Sequence, residues 1–421
     1  PVQDWLAQVI GVLETSSRHA IGDVMQAILN GQVVVLSDNS PEAMILTLRT
    51  PMGRSIEEPS TERTIRGPRE GFVETLPHNL SMIRHHLRDP NLVVENYTIG
   101  RRSQSRVAFI YIKDIARPEI VSEARRRLTS MDIDGILSSG YVEEWIEDSH
   151  YSLFPQMTET ERPDRVAANL LEGRFAILVD GTPSAIVAPV VFSQYFQSTE
   201  DYYERWIPGS AIRFLRLFAF FIATSLTASY IALVSINVEM IPFGMLAFIA
   251  ESRRAVPFPP FAEVLLVEFI LEFLREAGLR IPQPVGQTVG VVGGIVLGDA
   301  LIRANLVSPL LIILAVTSVL ASFTIPNYTA ALNLRLIRFP LIFMATFFGG
   351  VGIVGAWIII LTNLARTSSF GVPLLSPLSH PGEVGDLILR LPREYQTKRP
   401  DSIPHQDDTR FSVNSWRKRP K

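Results

Sequence analysis

Ile212–Ile236 reads IRFLRLFAFFIATSLTASYIALVSI, an apolar run whose only charges, Arg213 and Arg216, lie at its start. A helix crosses a hydrocarbon core with about 20 apolar residues, so this stretch is expected to span a membrane. Basic residues favour the cytoplasmic end of a span, which places the chain before it in the cytoplasm. That preceding part, to about Arg205, alternates polar and apolar residues like a water-soluble α/β protein. The part that follows, to about Asn363, is apolar and broken mainly by Gly, Pro and a few charges. The expected fold class is therefore an α/β (α+β) N-domain followed by an α-helical polytopic membrane domain.

Downstream of the first span, Met240–Ala250 is apolar but too short to cross, and reads as a re-entrant or interfacial segment. It ends at Arg253 and Arg254, before Pro257-Phe258-Pro259-Pro260. Phe261–Leu279 carries Glu268, Glu272 and Glu276 four apart, which stacks them on one helical face with Arg275. Two readings compete for this stripe. In one, the helix lies in the interface and the carboxylates face water. In the other, they line a cation pathway, and oligomerisation turns one stripe into rings of carboxylates.

Val285–Val307 follows, with Gly286, Gly290, Gly294 and Gly298 at GxxxG spacing, which lets helix backbones approach closely. Asp299 and Arg303, four apart, are placed to neutralise each other; Asp299 is also a candidate pathway residue. Pro309–Ile325 and Phe339–Leu361 are further apolar runs, the second carrying Gly349 and Gly352 as another packing surface. The count is about four spans plus the short segment. An even number returns the C-terminus to the cytoplasm, in accord with the basic end Arg417, Lys418, Arg419 and Lys421. The Pro-rich tail (residues 371–421) is expected to be extended, and disordered beyond about Arg393.

In the soluble half, Val24–Leu48 (VMQAILNGQVVVLSDNSPEAMILTL) aligns without a gap on Val166–Val190 (VAANLLEGRFAILVDGTPSAIVAPV). Leu29 meets Leu171, Gly31 meets Gly173, Leu36 meets Leu178, Asp38 meets Asp180 and Pro41 meets Pro183. Each copy reads as a helix end, a glycine stop, a strand, a turn and a second strand. Two related subdomains are expected: residues 1–70, including the polar linker Gly53–Arg69, and residues 71–205. A chance recurrence of a common pattern is the alternative. The chain starts at Pro rather than Met, and truncation of the first subdomain is expected. Val107–Ile112 (VAFIYI) reads as a buried strand, and Pro118–Thr129 and Ile136–Glu147 as helices. His85 and His86 diverge by about 100° on a helix and make a poor ligand pair.

The 421 residues carry a net charge of −3, which argues against a nucleic-acid partner. The hydrophobic fraction of 47% and mean hydropathy of +0.22 are high for a soluble protein. With no Cys, thiolate metal sites and a Cys nucleophile are excluded. No P-loop, GxSxG or HExxH motif is present. No catalytic residue, metal or cofactor is expected.

The membrane half resembles the A subunit of the spore germination receptors, the GerA family, which includes SpoVAF-type proteins. The resemblance rests on VPFPPFAEVLLVEFILEFLREAGLRIPQPVGQTVGVVGGIVLGDALIRANLVSP (Val256–Pro309) and FTIPNYTAALNLRLIRFPLIFMATFFGGVGIVGAWIIILTNLARTSSFGVPLLSPLS (Phe323–Ser379). It extends to the soluble stretch Gly140–Phe192 and covers about Asp4 to Ser379. The family usually has more sequence ahead of the first subdomain. The resemblance implies a cytoplasmic N-domain and a membrane domain in the spore inner membrane. It implies a transporter-like B subunit and a lipoprotein C subunit as partners, and an A-type homo-oligomer, in contact with membrane lipid, that conducts cations when nutrient is sensed. A non-conducting scaffold, or a SpoVAF-like accessory protein, are the alternatives. A secondary transporter would want an inverted repeat, and none is seen.

Overall fold

The computed structural model describes residues 14–410 apart from 30–31, 37–41, 48–57, 60, 282 and 380–388. The first copy's glycine stop, turn pair and Pro41, and Arg54 of the linker, lie outside the described residues. What is described there is β1 (Glu14–Arg18), α1 (Ile21–Leu29), β2 (Val33–Val35) and β3 (Ala43–Thr47), with strand order β1-β3-β2, all antiparallel.

The second soluble unit runs through α2 (Leu76–His86), β4 (Leu92–Ile99), β5 (Ser105–Ile112), α3 (Pro118–Thr129), α4 (Ser139–Ile146), β6 (Thr158–Thr160), α5 (Pro163–Leu170), β7 (Phe175–Val179) and β8 (Ala185–Ala188). Its five strands form one antiparallel sheet in the order β4-β5-β7-β8-β6. On one face Val107, Phe109, Phe175 and Ile177 pack with Ile120, Val121 and Ala124 of α3 and Val142 of α4. On the other, Ala108, Ile110 and Leu178 pack with Met82 and Ile83 of α2 and Val166 and Leu170 of α5. Helices on both faces explain why VAFIYI and FAILV are apolar without alternation, since each side chain enters a core whichever way it points. Gly173, at φ +95°, closes α5, and Gly181, at φ +90°, forms the β7–β8 turn. There the Asp180 carboxylate accepts from Leu76 N (3.0 Å) and Arg106 Nη2 (2.9 Å), tying the turn to α2 and β5.

The helical half begins after the short α6 (Glu200–Tyr203) with α7 (Trp206–Ser235) and continues through α8 (Phe243–Arg253), α9 (Pro260–Arg280), α10 (Gln283–Arg303), α11 (Pro309–Ser322) and α12 (Tyr328–Arg366). Among the described residues, α7 and α12 are the two helices long and apolar enough to cross a membrane; four such spans are not confirmed. At 14 residues, α11 is about 21 Å long, short of a core of about 30 Å. α8 has 11 residues and buries no side chain.

The expected span Phe339–Leu361 is interrupted by a fold-back. α12 would be about 58 Å long if straight, but Gly349 breaks it at φ 60°, ψ −140°. After the break, Gly352 lies against the Met344 carbonyl, eight residues back, which no continuous helix allows. The turn sits at the far end of α7, where the Asn237 Oδ1 accepts from Gly350 N at 2.8 Å. Arg338 and Trp357, on opposite sides of the turn, both reach the middle of α7, at Ala223 O and Ser225 Oγ. The arms 328–348 and 350–366 are each about 25–32 Å long at 1.5 Å per residue. Gly349 and Gly352 thus serve a turn within the chain.

The tail also departs from expectation. Residues after α12 enter the soluble core: Phe370 and Val372 join the α3 side of the sheet together with Ile403. Ser369 Oγ donates to Gln156 O (2.6 Å) and accepts from Val190 N (3.1 Å). Beyond Arg393, where disorder was expected, Gln406 N donates to Ile115 O (2.9 Å) and Arg399 Nε to Leu171 O (2.7 Å). A Pro-rich polar sequence has no periodicity to reveal this, yet three apolar side chains and a guanidinium find partners in a sheet domain formed more than 180 residues earlier.

Candidate functional site

The junction between the halves is built on one carboxylate. α6 ends the soluble unit, and α7 starts with Arg213 and Arg216 one turn apart. Asp201 Oδ2 lies 3.6 Å from Arg213 Nε, and its two oxygens accept from Arg216 Nη1 at 2.8 and 2.7 Å. Arg216 Nη1 also donates to Phe196 O at 3.0 Å. Asp201 and Arg213 are buried, so the two arginines form an internal clasp, whereas the sequence suggested a basic flank at a membrane surface. Arg390 straps the same junction: its backbone N donates to Ser210 Oγ (3.0 Å), and its guanidinium donates to the carbonyls of Glu204 and Tyr202. Gly209 fits here because an added Cβ would lie 3.1 Å from Asp201 O.

The acidic stripe of α9 divides along its length. A spacing of four residues advances about 400°, so each step drifts some 40° round the helix. Glu268 turns inward, 5% exposed, and accepts from Arg338 Nη1 at 2.5 Å. Arg338 Nε and Ser318 Oγ both donate to Ala223 O at 3.0 Å, so α7, α9, α11 and α12 meet at one polar knot. Glu272 (45% exposed) pairs with Arg275, and Glu276 (54%) with Arg280 at 2.7 Å. Asp299 (57% exposed) pairs with Arg303 at 2.6 Å, as its spacing predicted.

Two buried charged positions lie outside the stripe that the sequence marks. Glu263 is fully buried and accepts from Ser308 N (2.6 Å) at the start of α11, with Arg253 Nη2 at 3.5 Å. It lies off the stripe, because five residues advance about 140° beyond a full turn. Arg338 directly precedes the apolar run from Phe339, and nothing local pairs it with a residue 70 positions away.

Two of the three described glycine surroundings on α10 are open. A Cβ at Gly294 or Gly298 would meet nothing within 4 Å, while one at Gly293 would touch Leu274 of α9 at 3.9 Å. The surroundings of Gly286 and Gly290 lie outside the described residues. In the soluble unit, burial and the nearby Glu159 and Glu147 raise the Glu143 carboxyl from 4.5 to about 7.

The family model for the Bacillus/Clostridium GerA spore germination protein matches residues 2–402. The chain belongs to the GerA spore germination family. Within the GerA family, it is 41% identical over 411 residues to spore germination protein GerLA of Bacillus cereus, covering 97% of this chain and 83% of that one. It is 43% identical over 411 residues to spore germination protein KA of Bacillus subtilis (strain 168), covering 97% and 76%. The crystal structure of the N-terminal domain of the A subunit of the Bacillus megaterium spore germinant receptor GerK3 is 34% identical, covering 45% of this chain and 68% of that one, with a TM-score of 0.34. The two long apolar helices fit a membrane protein.

Proposed function

We propose that this GerA-family chain is the A-type subunit of a spore germinant receptor. In this reading it oligomerises in the spore inner membrane, with its soluble half in the cytoplasm, into a nutrient-gated cation channel. A transporter-like B-type subunit and a lipoprotein C-type subunit are its partners. The observation that carries the channel reading is the α9–α10 pair. It presents Glu272, Glu276 and Asp299 to the outside of the monomer beside the open glycine face of Gly294 and Gly298. Copies docking through small residues would bring these carboxylates into rings that favour cations. In this reading Glu268 has a structural role, supported by its buried pairing with Arg338.

A scaffold reading keeps one observation in its favour: each exposed carboxylate already has an arginine three or four residues away. The experiment is potassium flux from liposomes carrying the full chain, compared with Glu272→Gln, Glu276→Gln and Asp299→Asn. The channel reading expects flux from the parent and reduced flux from assembled variants. Vesicles that stay tight at every oligomeric state overturn it. No flux from the parent, with assembly lost in the variants, favours the scaffold.

A further inference from the structure

The strap that Arg390 lays across the junction has an apolar outer side. Arg390 is buried and turns its guanidinium to the Glu204 and Tyr202 carbonyls. Leu389 and Leu391, on either side of it, are 51% and 37% exposed, and Tyr395, at the end of the 3-10 turn Arg393–Tyr395, is 72% exposed. Two carbonyls of this segment are paired locally: Pro392 O accepts from Tyr395 N and Leu391 O from Gln396 Nε2, both at 3.0 Å. Pairing lowers the cost of setting a backbone against an apolar medium.

The height of the strap is fixed by α7. Arg390 N donates to Ser210 Oγ, and a Cβ on Gly209 would lie 3.6 Å from Arg390 Cδ, so the strap crosses α7 about one turn from its start. The 30 residues of α7 rise about 45 Å, which matches a bilayer with its headgroup layers, about 40–45 Å deep around a core of about 30 Å. Residues 206–210, about 7–8 Å of that rise, then fall at headgroup depth. Trp206 and Ile207 are exposed there, and Trp favours that layer because its ring is apolar with a polar tip. Ile207, Phe214 and Phe218, seven and eleven residues apart, share one helix face and are all exposed, so the apolar surface continues from the strap along α7.

We propose that Leu389, Leu391 and Tyr395 dock into the headgroup layer of the bilayer beside Trp206 and Ile207, so that lipid covers the strap and holds the junction at the membrane surface. The proposal rests on the reading that α7 crosses a membrane. Lipid is the occupant because the patch lies at headgroup depth and continues the exposed face of α7. Apolar side chains with an aromatic among them are the composition that inserts at that boundary. Through Arg390, the docked segment also bears on Ser210 and on the carbonyls that lead from α6 into α7.

The chain has no Cys, so a single introduced cysteine can carry a fluorescent label without background. The full chain with Leu389→Cys, Leu391→Cys or Tyr395→Cys is labelled and placed in nanodiscs of phosphatidylcholine and phosphatidylglycerol. Quenching by a phospholipid with a nitroxide near its headgroup is compared with quenching by aqueous iodide. The references are Phe218→Cys, on the exposed face of α7, and Thr98→Cys, exposed on β4 at the sheet edge opposite β6. The strap labels are expected to be quenched by the nitroxide lipid and to lose iodide quenching relative to Thr98, whose label shows the reverse. Iodide quenching equal to that at Thr98 overturns the proposal, and so does protection from both quenchers, which marks a protein partner on the patch. Two concordant strap positions decide the result, so a single misfolded variant leaves the test intact. A Phe218 label that the nitroxide lipid does not quench overturns the membrane reading and this proposal with it. Lipid quenching at Phe218 with strap labels open to iodide overturns this proposal alone.

Discussion

Asp201 holds Arg216 through both carboxylate oxygens, at 2.8 and 2.7 Å, in a site closed to solvent. The pair links the last turn of the soluble unit to the first turns of α7, so movement of one half reaches the other through a charged contact. Breaking a buried pair by removing one partner typically costs about 3–5 kcal/mol, because the other charge is stranded. Asp201→Asn is therefore expected to lower thermal stability by that order in a detergent-solubilised melt. A shift within error would show that the clasp carries no mechanical load.

Glu268 and Arg338 form the equivalent knot inside the bundle. Glu268→Gln keeps an amide oxygen for Arg338 but removes its counter-charge, which strands the guanidinium inside the bundle, and a loss of about 3–5 kcal/mol is expected. Glu268→Met with Arg338→Met removes both charges and is expected to recover part of it, as apolar replacements of buried pairs often do. Melts of the two single variants and the double variant decide it; equal losses in all three would rule out charge stranding.

Gly349→Ala tests the fold-back. An alanine at φ +60°, ψ −140° is strained, and its Cβ would collide with Asn237 and Ile236. A cost of at least about 1–3 kcal/mol is expected from the backbone alone. In a straight helix the same change stabilises by up to about 1 kcal/mol, so the sign of the shift in melting temperature distinguishes the two topologies.

Phe370 follows α12 in the chain yet packs edge-on against Phe175 of the soluble sheet at 4.9 Å, with the Arg127 guanidinium 4.6 Å from its ring centre. Phe370→Ala is expected to destabilise the soluble unit by about 3–5 kcal/mol. Faster limited proteolysis around β7, with the helical half unaffected, would be the signature. Unchanged cleavage would mean that the tail is a passenger.

Glu143 gives a pH prediction. Its carboxyl rises from 4.5 to about 7 because of burial and two neighbouring glutamates, so the folded state holds a proton that the unfolded chain releases earlier. This contribution is complete below pH 4.5 and is lost as the pH rises to about 7. Chemical denaturation between pH 5 and 8 should show a falling component that Glu143→Gln removes; identical pH profiles for the two proteins would contradict it.

Local chemistry in the sequence determined much of this protein. The run from Ile212 predicted a long apolar helix because every turn repeats the same demand. VAFIYI predicted a buried strand, Gly173 and Asp180-Gly181 a helix stop and a turn, and Asp299 with Arg303 an ion pair, each from partners within a few residues. Tertiary structure alone decided the rest. Asp201 meets Arg216 across 15 residues and Glu268 meets Arg338 across 70, distances over which helical period carries no information. Gly349 reads the same in a straight membrane helix as in a turn, because glycine fits both; only the contact of Gly352 with Met344 shows which was chosen. Phe370 and Ile403 look like isolated apolar residues in a polar tail until a sheet made of much earlier residues offers them a core.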